Sequence, residues 1–77
     1  MTGPHPELER TLLALVNEQR DVLELDEPLE LDSFELIVLI ESLEARLGLV
    51  VPARDVTPEH FRNVRALASY VAARRQT

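Results

Sequence analysis

Three stretches of this chain repeat apolar residues at three- and four-residue spacing, and no pair of alternating segments is available to form a sheet, so the sequence commits to helices packed on helices. Leu8, Leu12, Leu15 and Val16 form the first stripe. Leu36, Ile40, Leu43 and Leu47, flanked by Leu39 and Ile37, form the second, and Val64, Leu67, Ala68 and Val71 form the third. A length of 77 residues supports one domain with a modest core. The expected fold is all-α: a small four-helix bundle of three main helices and one short one, with a long ordered loop between helices one and two. The single domain is expected to span residues 1–77, with 1–5 and 75–77 loose.

Local punctuation sets the helix ends. Pro4 and Pro6 suit a helix start, which predicts a first helix from Pro6 to Glu18 or slightly beyond. Pro28 blocks a helix through the following segment, where Leu23, Leu25, Leu29 and Leu31 alternate with acids. A lone alternating segment has no strand partner, so an ordered loop that pins its leucines onto the helices is expected. Helix two should begin at Asp32 or Ser33, with Asp32 and Glu35 spaced as a capping box, and end near Leu47 before Gly48. After the apolar connector Leu49-Val50-Val51-Pro52, Thr57 and Pro58 mark the cap and first position of a short helix ending near Phe61. Asn63 can cap a last helix over Val64 to Arg74.

Charge and composition exclude several classes of function. From Asp21 to Glu44 the chain carries nine acids and no base. Such a face repels nucleic acid and anionic lipid and attracts proteins with basic patches. Without cysteine there is no disulfide framework and no thiolate metal site. The beginning lacks a basic n-region and an apolar h-region, and no apolar run approaches a membrane span, so a soluble, cytoplasmic, monomeric protein is expected. A hydrolase reading of Ser33 fails for want of a base and a Gly-x-Ser-x-Gly elbow, since the only histidines are His5 and His60. The acidic loop lacks the turn glycine of a calcium site, because the sixth position from Asp26 is Leu31. No metal ligands and no catalytic residues are expected.

The residues that remain to be explained lie on helix two. Phe34 and Val38 are i, i+4 neighbours roughly opposite the apolar stripe, beside Glu41 and Ala45, and on a simple bundle they form an apolar patch in an acidic surround. Ser33 stands at the leading turn, where free backbone N–H groups and the positive end of the helix dipole favour a phosphate ester. Taken alone, Asp-Ser ahead of an apolar helix is more often a plain cap than a reactive site.

The ordered set of motifs resembles free-standing acyl carrier proteins, members of the phosphopantetheine-binding carrier protein family. Asp32-Ser33-Phe34 is similar to their Asp-Ser-Leu, and the likeness runs through Glu35 to Glu44, then Leu47 to Pro52, Asp55 to Val64, and Ala66 to Val71. The resemblance implies a non-catalytic carrier. Ser33 would hold 4′-phosphopantetheine, added from coenzyme A by a phosphopantetheinyl transferase with magnesium, and acyl groups would ride on the arm as thioesters. It further implies that Asp32, Phe34, Val38, Glu41 and Glu44 meet acyl-loading and processing enzymes that carry basic docking patches. The arm brings its own thiol, which accounts for the missing cysteine. Phe34 replaces the commoner leucine, and Val38 stands where many fatty-acid carriers have an acid. The Gly-Gly-x-Ser signature of many peptidyl carriers is absent, although aminoacyl carriers share the remaining pattern. The cargo is therefore expected to be an acyl group of fatty acid or polyketide type, with an aminoacyl or peptidyl carrier as the alternative. An unmodified helical interaction module is the alternative outside the family.

Overall fold

A computed structural model describes residues 5–75. Of the expected loose ends, residues 1–4 and 76–77 lie outside the described residues. Four α-helices follow in order: α1 (Pro6–Val16), α2 (Ser33–Leu47), α3 (Pro58–Phe61) and α4 (Val64–Arg75), with a 3-10 turn at Ala53–Asp55 between α2 and α3. The architecture is the expected all-α bundle of three main helices and one short one, with no strand among the described residues.

Helix α4 packs against both α1 and α3, and α1 also packs on α2. The three stripes meet in one core. Leu12, Leu39, Leu43, Val64, Leu67, Ala68 and Val71 are buried almost completely, and Leu8, Leu36, Ile40 and Leu47 pack against them from partly buried positions. Ile37 is not part of the core, being 54% exposed on the outer surface.

Helix α1 stops at Val16, short of the expected Glu18, because Asn17 redirects the chain. Its side-chain amide donates to the carbonyls of Leu13 (2.9 Å) and Val22 (2.8 Å), and its Oδ1 accepts the Val22 N–H at 2.7 Å. The side chain thus serves backbone groups on both sides of the turn that a continuing helix would have paired. Beyond it, the 21–31 segment is the expected ordered loop. Leu29 donates its N–H to the Arg62 carbonyl (2.8 Å), Arg65 donates its N–H to the Leu25 carbonyl (3.1 Å), and the Arg65 guanidinium pairs with Asp26 at 2.6 Å. Leu29 is buried, and Leu25 and Leu31 are partly buried. Leu23 departs from the expectation, lying 82% exposed, while its neighbour Val22 takes the buried position.

Helix α2 begins and ends as its sequence signals require. Both halves of the capping box form, since Glu35 N–H donates to Asp32 Oδ1 (2.8 Å) and Asp32 N–H donates to Glu35 Oε1 (3.0 Å). At the far end Gly48 adopts φ 65°, and the next N–H, from Leu49, returns to the Leu43 carbonyl at 3.2 Å. Asn63 caps α4 through the Ala66 N–H at 2.7 Å. Thr57 occupies the position before α3 but does not cap it with its side chain. His60 and Phe61 donate to its backbone carbonyl, and its hydroxyl is left buried without a partner. No helix among the described residues is long and apolar enough to cross a membrane.

Candidate functional site

Ser33 is the first residue of α2 and is exposed. Among the described residues no hydrogen bond engages its hydroxyl. The turn it stands on is held from two directions. The capping box fixes Asp32 and Glu35 on either side, and the turn after α1 clamps Glu35 from outside. Arg20 donates through Nη2 to Glu35 Oε1 (2.7 Å) and through Nε to Oε2 (3.0 Å), while the Gln19 side chain donates to the Glu35 carbonyl at 3.2 Å. A forked pair of this kind fixes orientation as well as distance. The Arg20 hydrogen bonds hold the Glu35 carboxyl below the ordinary carboxylate range, with the Asp32 N–H acting in the same direction. Glu35 in turn raises Arg20, with Asp32 and Glu30 adding their charge. The Ser33 hydroxyl therefore projects from a rigid turn whose geometry does not depend on it.

The residues expected beside Ser33 are not all on one surface. Asp32, Phe34, Glu41 and Glu44 are exposed, with Phe34 at 72%. Val38 is only half-exposed, because the turn after α1 bridges its side of α2 through Arg20 to Glu35 and through Glu18 to Arg46 (2.7 Å). Ile37 takes the outer position instead. Phe34, Ile37, Glu41 and Glu44 fall at i, i+3, i+7 and i+10 and make one continuous face of two apolar and two acidic side chains. Ile37 was detectable at this spacing, but the sequence equally allowed it to flank the core.

A cleft opens on the other side of the Ser33 turn. It encloses about 270 Å³ between the loop, α2 and the approach to α3, and is lined by Leu29, Leu31, Leu36, Val56, Thr57 and Phe61. Leu31 and Leu36 bracket Ser33 in sequence, so the cleft and the serine share the same turn. Thr57 lines this wall, and its hydroxyl is buried without a partner. A buried hydroxyl left unpaired costs about 1–3 kcal/mol. Nothing in the sequence distinguished it from an ordinary helix cap.

Behind the cleft, the segment after α2 is fastened to α4. The Tyr70 hydroxyl donates to Asp55 Oδ2 at 2.7 Å, and Arg74 donates to the Val50 carbonyl at 3.2 Å and lies 4.0 Å from Asp55. The His60 and Tyr70 rings stack with centroids 4.5 Å apart. Neither histidine lies in the cleft wall or in the clamp on the Ser33 turn.

No curated protein and no solved structure gives a significant match to this chain. The family described as the phosphopantetheine attachment site matches residues 10–71, most of the chain's length and every helix that positions the Ser33 turn. Members of that family carry a covalently attached 4′-phosphopantetheine group, are carriers as a rule and not catalysts, and work with phosphopantetheinyl transferases and biosynthetic enzymes. The chain belongs to the phosphopantetheine attachment site family and is a phosphopantetheine-carrying carrier protein.

Proposed function

We propose that Ser33 Oγ is the attachment atom and that the protein carries acyl intermediates, as thioesters on the arm, to biosynthetic enzymes of fatty acid or polyketide type. The observation that carries the reading is an exposed hydroxyl, free of hydrogen bonds among the described residues, at the first position of a 15-residue helix. An attachment serine must reach into another enzyme's active site, so its hydroxyl has to be accessible and its backbone fixed. Both conditions hold at Ser33. Ser42 is half-buried midway along α2, and Ser69, although exposed, lies midway along α4, away from any helix N-terminus. The residues also suit the charge of a phosphodiester. The N-terminus of α2 has backbone N–H groups with no partner inside the helix, at the positive end of its dipole.

When bound, the arm supplies a thiol on a long tether. The protein's own residues do the rest. Asp32 and Glu35 hold the turn, Arg20 and Gln19 brace it, and Phe34, Ile37, Glu41 and Glu44 offer a surface on which apolar contact gives affinity and acids choose a basic partner. Val38, half-covered, contributes at the edge of that surface. A monomer in the cytoplasm fits this role.

The test is direct. Incubation with coenzyme A, magnesium and a broad-specificity phosphopantetheinyl transferase is expected to raise the intact mass by one arm, and Ser33→Ala is expected to abolish the gain while circular dichroism stays helical. An unchanged mass for the wild-type protein, or an unchanged gain in Ser33→Ala, overturns the assignment.

A further inference from the structure

We propose that Arg20 sets which partners this chain accepts: by engaging both carboxylate oxygens of Glu35 it withholds the acid of the first turn of α2, so enzymes whose bases crowd the active-site mouth are disfavoured and enzymes whose bases reach Glu41 and Glu44 are favoured. The inference rests on attachment of the arm at Ser33 and on docking through α2.

Glu35 is held from three donors. Arg20 reaches Oε1 through Nη2 at 2.7 Å and Oε2 through Nε at 3.0 Å, and the Asp32 N–H adds a third bond to Oε1 at 3.0 Å. A forked, charge-assisted pair is stronger and more directional than a single contact. The Glu35 side chain is only 18% exposed against 39% for Arg20, so an approaching partner meets the cation more readily than the acid. Asp32 and Glu30 add their charge around the same guanidinium, which favours its staying there. Asp32, although exposed, has its Oδ1 committed to the Glu35 N–H at 2.8 Å. A partner lysine or arginine that sought Glu35 would have to break the fork and then stand beside the displaced Arg20. Arg20 is thus a repulsive element against one kind of partner. Glu41 and Glu44 carry no such lock, being exposed and engaged by no ion pair among the described residues. At about 1.5 Å of rise per residue they stand about 12 and 16 Å along α2 from Ser33. The favoured partner carries its bases that far from the mouth that receives the serine or its arm, with apolar surface opposite Phe34 and Ile37.

The experiment follows arm transfer from coenzyme A to the full chain, with magnesium and a broad-specificity phosphopantetheinyl transferase whose bases surround its active-site mouth. Arg20→Met is expected to lower KM about twofold to fivefold at low salt, with the gain fading as salt is raised, and Arg20→Gln should do the same. Glu35→Gln keeps an acceptor for the capping box, and combined with Arg20→Met it should return KM to the wild-type value. Loss of the brace by itself acts on kcat, so the two effects are read separately. Arg75→Met changes the net charge equally at the far end of α1, beside Glu7 and Leu8, and should leave KM where it is. Three results would overturn the inference while leaving Ser33 as the attachment point: an unchanged or raised KM in both Arg20 variants with helical dichroism intact, an equal gain in Arg75→Met, or a double variant whose KM departs from the wild type in either direction. A wild-type chain that takes no arm would overturn the attachment itself, and this inference with it.

Discussion

Tyr70 is the only tyrosine in the chain, and its hydroxyl is committed to Asp55 at 2.7 Å. Burial pushes the phenol up to about 12 from an ordinary 10.0, and the Asp55 hydrogen bond pushes the same way. With the folded value raised, the contribution to stability is complete below pH 10.0 and is lost as pH rises through about 12. Phenolate absorbance should therefore titrate near 12 in the folded protein and near 10.0 in urea; a midpoint near 10 with helical dichroism intact would contradict the Asp55 contact. Single residues of this kind divide by range. Asp32, Glu35, Gly48 and Asn63 act within a few positions of themselves, and their roles were readable from spacing. Tyr70 to Asp55 and Arg20 to Glu35 each join residues 15 apart, and no local rule announces them. Thr57 holds the cap position its sequence context gives it, but its side chain makes no cap bond and its hydroxyl is left unpaired, which no local rule announces.

Among the elements, α2 carries both the core stripe and the outer face, and a wheel at about 100° per residue separates them only in part. Phe34 and Glu41 point away from Leu39 and Leu43, and Ile37 and Val38 lie on either side of them at similar angles. Periodicity alone cannot choose which of the two stays outside. The choice is made by the turn after α1, whose Arg20 and Glu18 bridge to Glu35 and Arg46 and cover the Val38 side. Within the stripe the burial is graded, with Leu43 fully enclosed and Ile40 partly so. Leu43→Ala should then cost about 2–5 kcal/mol, and Ile40→Ala distinctly less. Urea denaturation checks the order, and a larger loss at Ile40 would mean that the core lies on another side of α2. The loop before α2 shows a similar limit. Its ordering was legible from Pro28 and the spaced leucines, but Leu23 and Val22 exchanged places because Asn17 draws the Val22 backbone inward.

For the molecule as a whole, the bundle resolves a conflict between two demands on one short chain. A carrier must keep one surface constant for many enzymes and leave one atom free to be modified. The core, shared by α1, α2 and α4, holds the turn at Ser33, and the acids of the 21–44 stretch are exposed apart from Glu27 and Glu35, which are half-buried. Reversing Glu41 and Glu44 to Lys should lower the rate of arm transfer by a basic-surfaced transferase, with the deficit shrinking as salt is raised and the helical dichroism unchanged. Equal rates at low salt would remove the case for electrostatic docking. The all-helical fold and the family pattern were visible in the sequence because both rest on short-range spacing. The cleft was not, because its walls come from two stretches, 29–36 and 56–62, that lie far apart along the chain.

Fragmentation mass spectrometry of the wild-type protein after arm transfer bears most directly on the central claim. The account predicts the added phosphodiester on the fragment that contains Ser33 and none on those that contain Ser42, Thr57 or Ser69. An arm found on any other hydroxyl would contradict it.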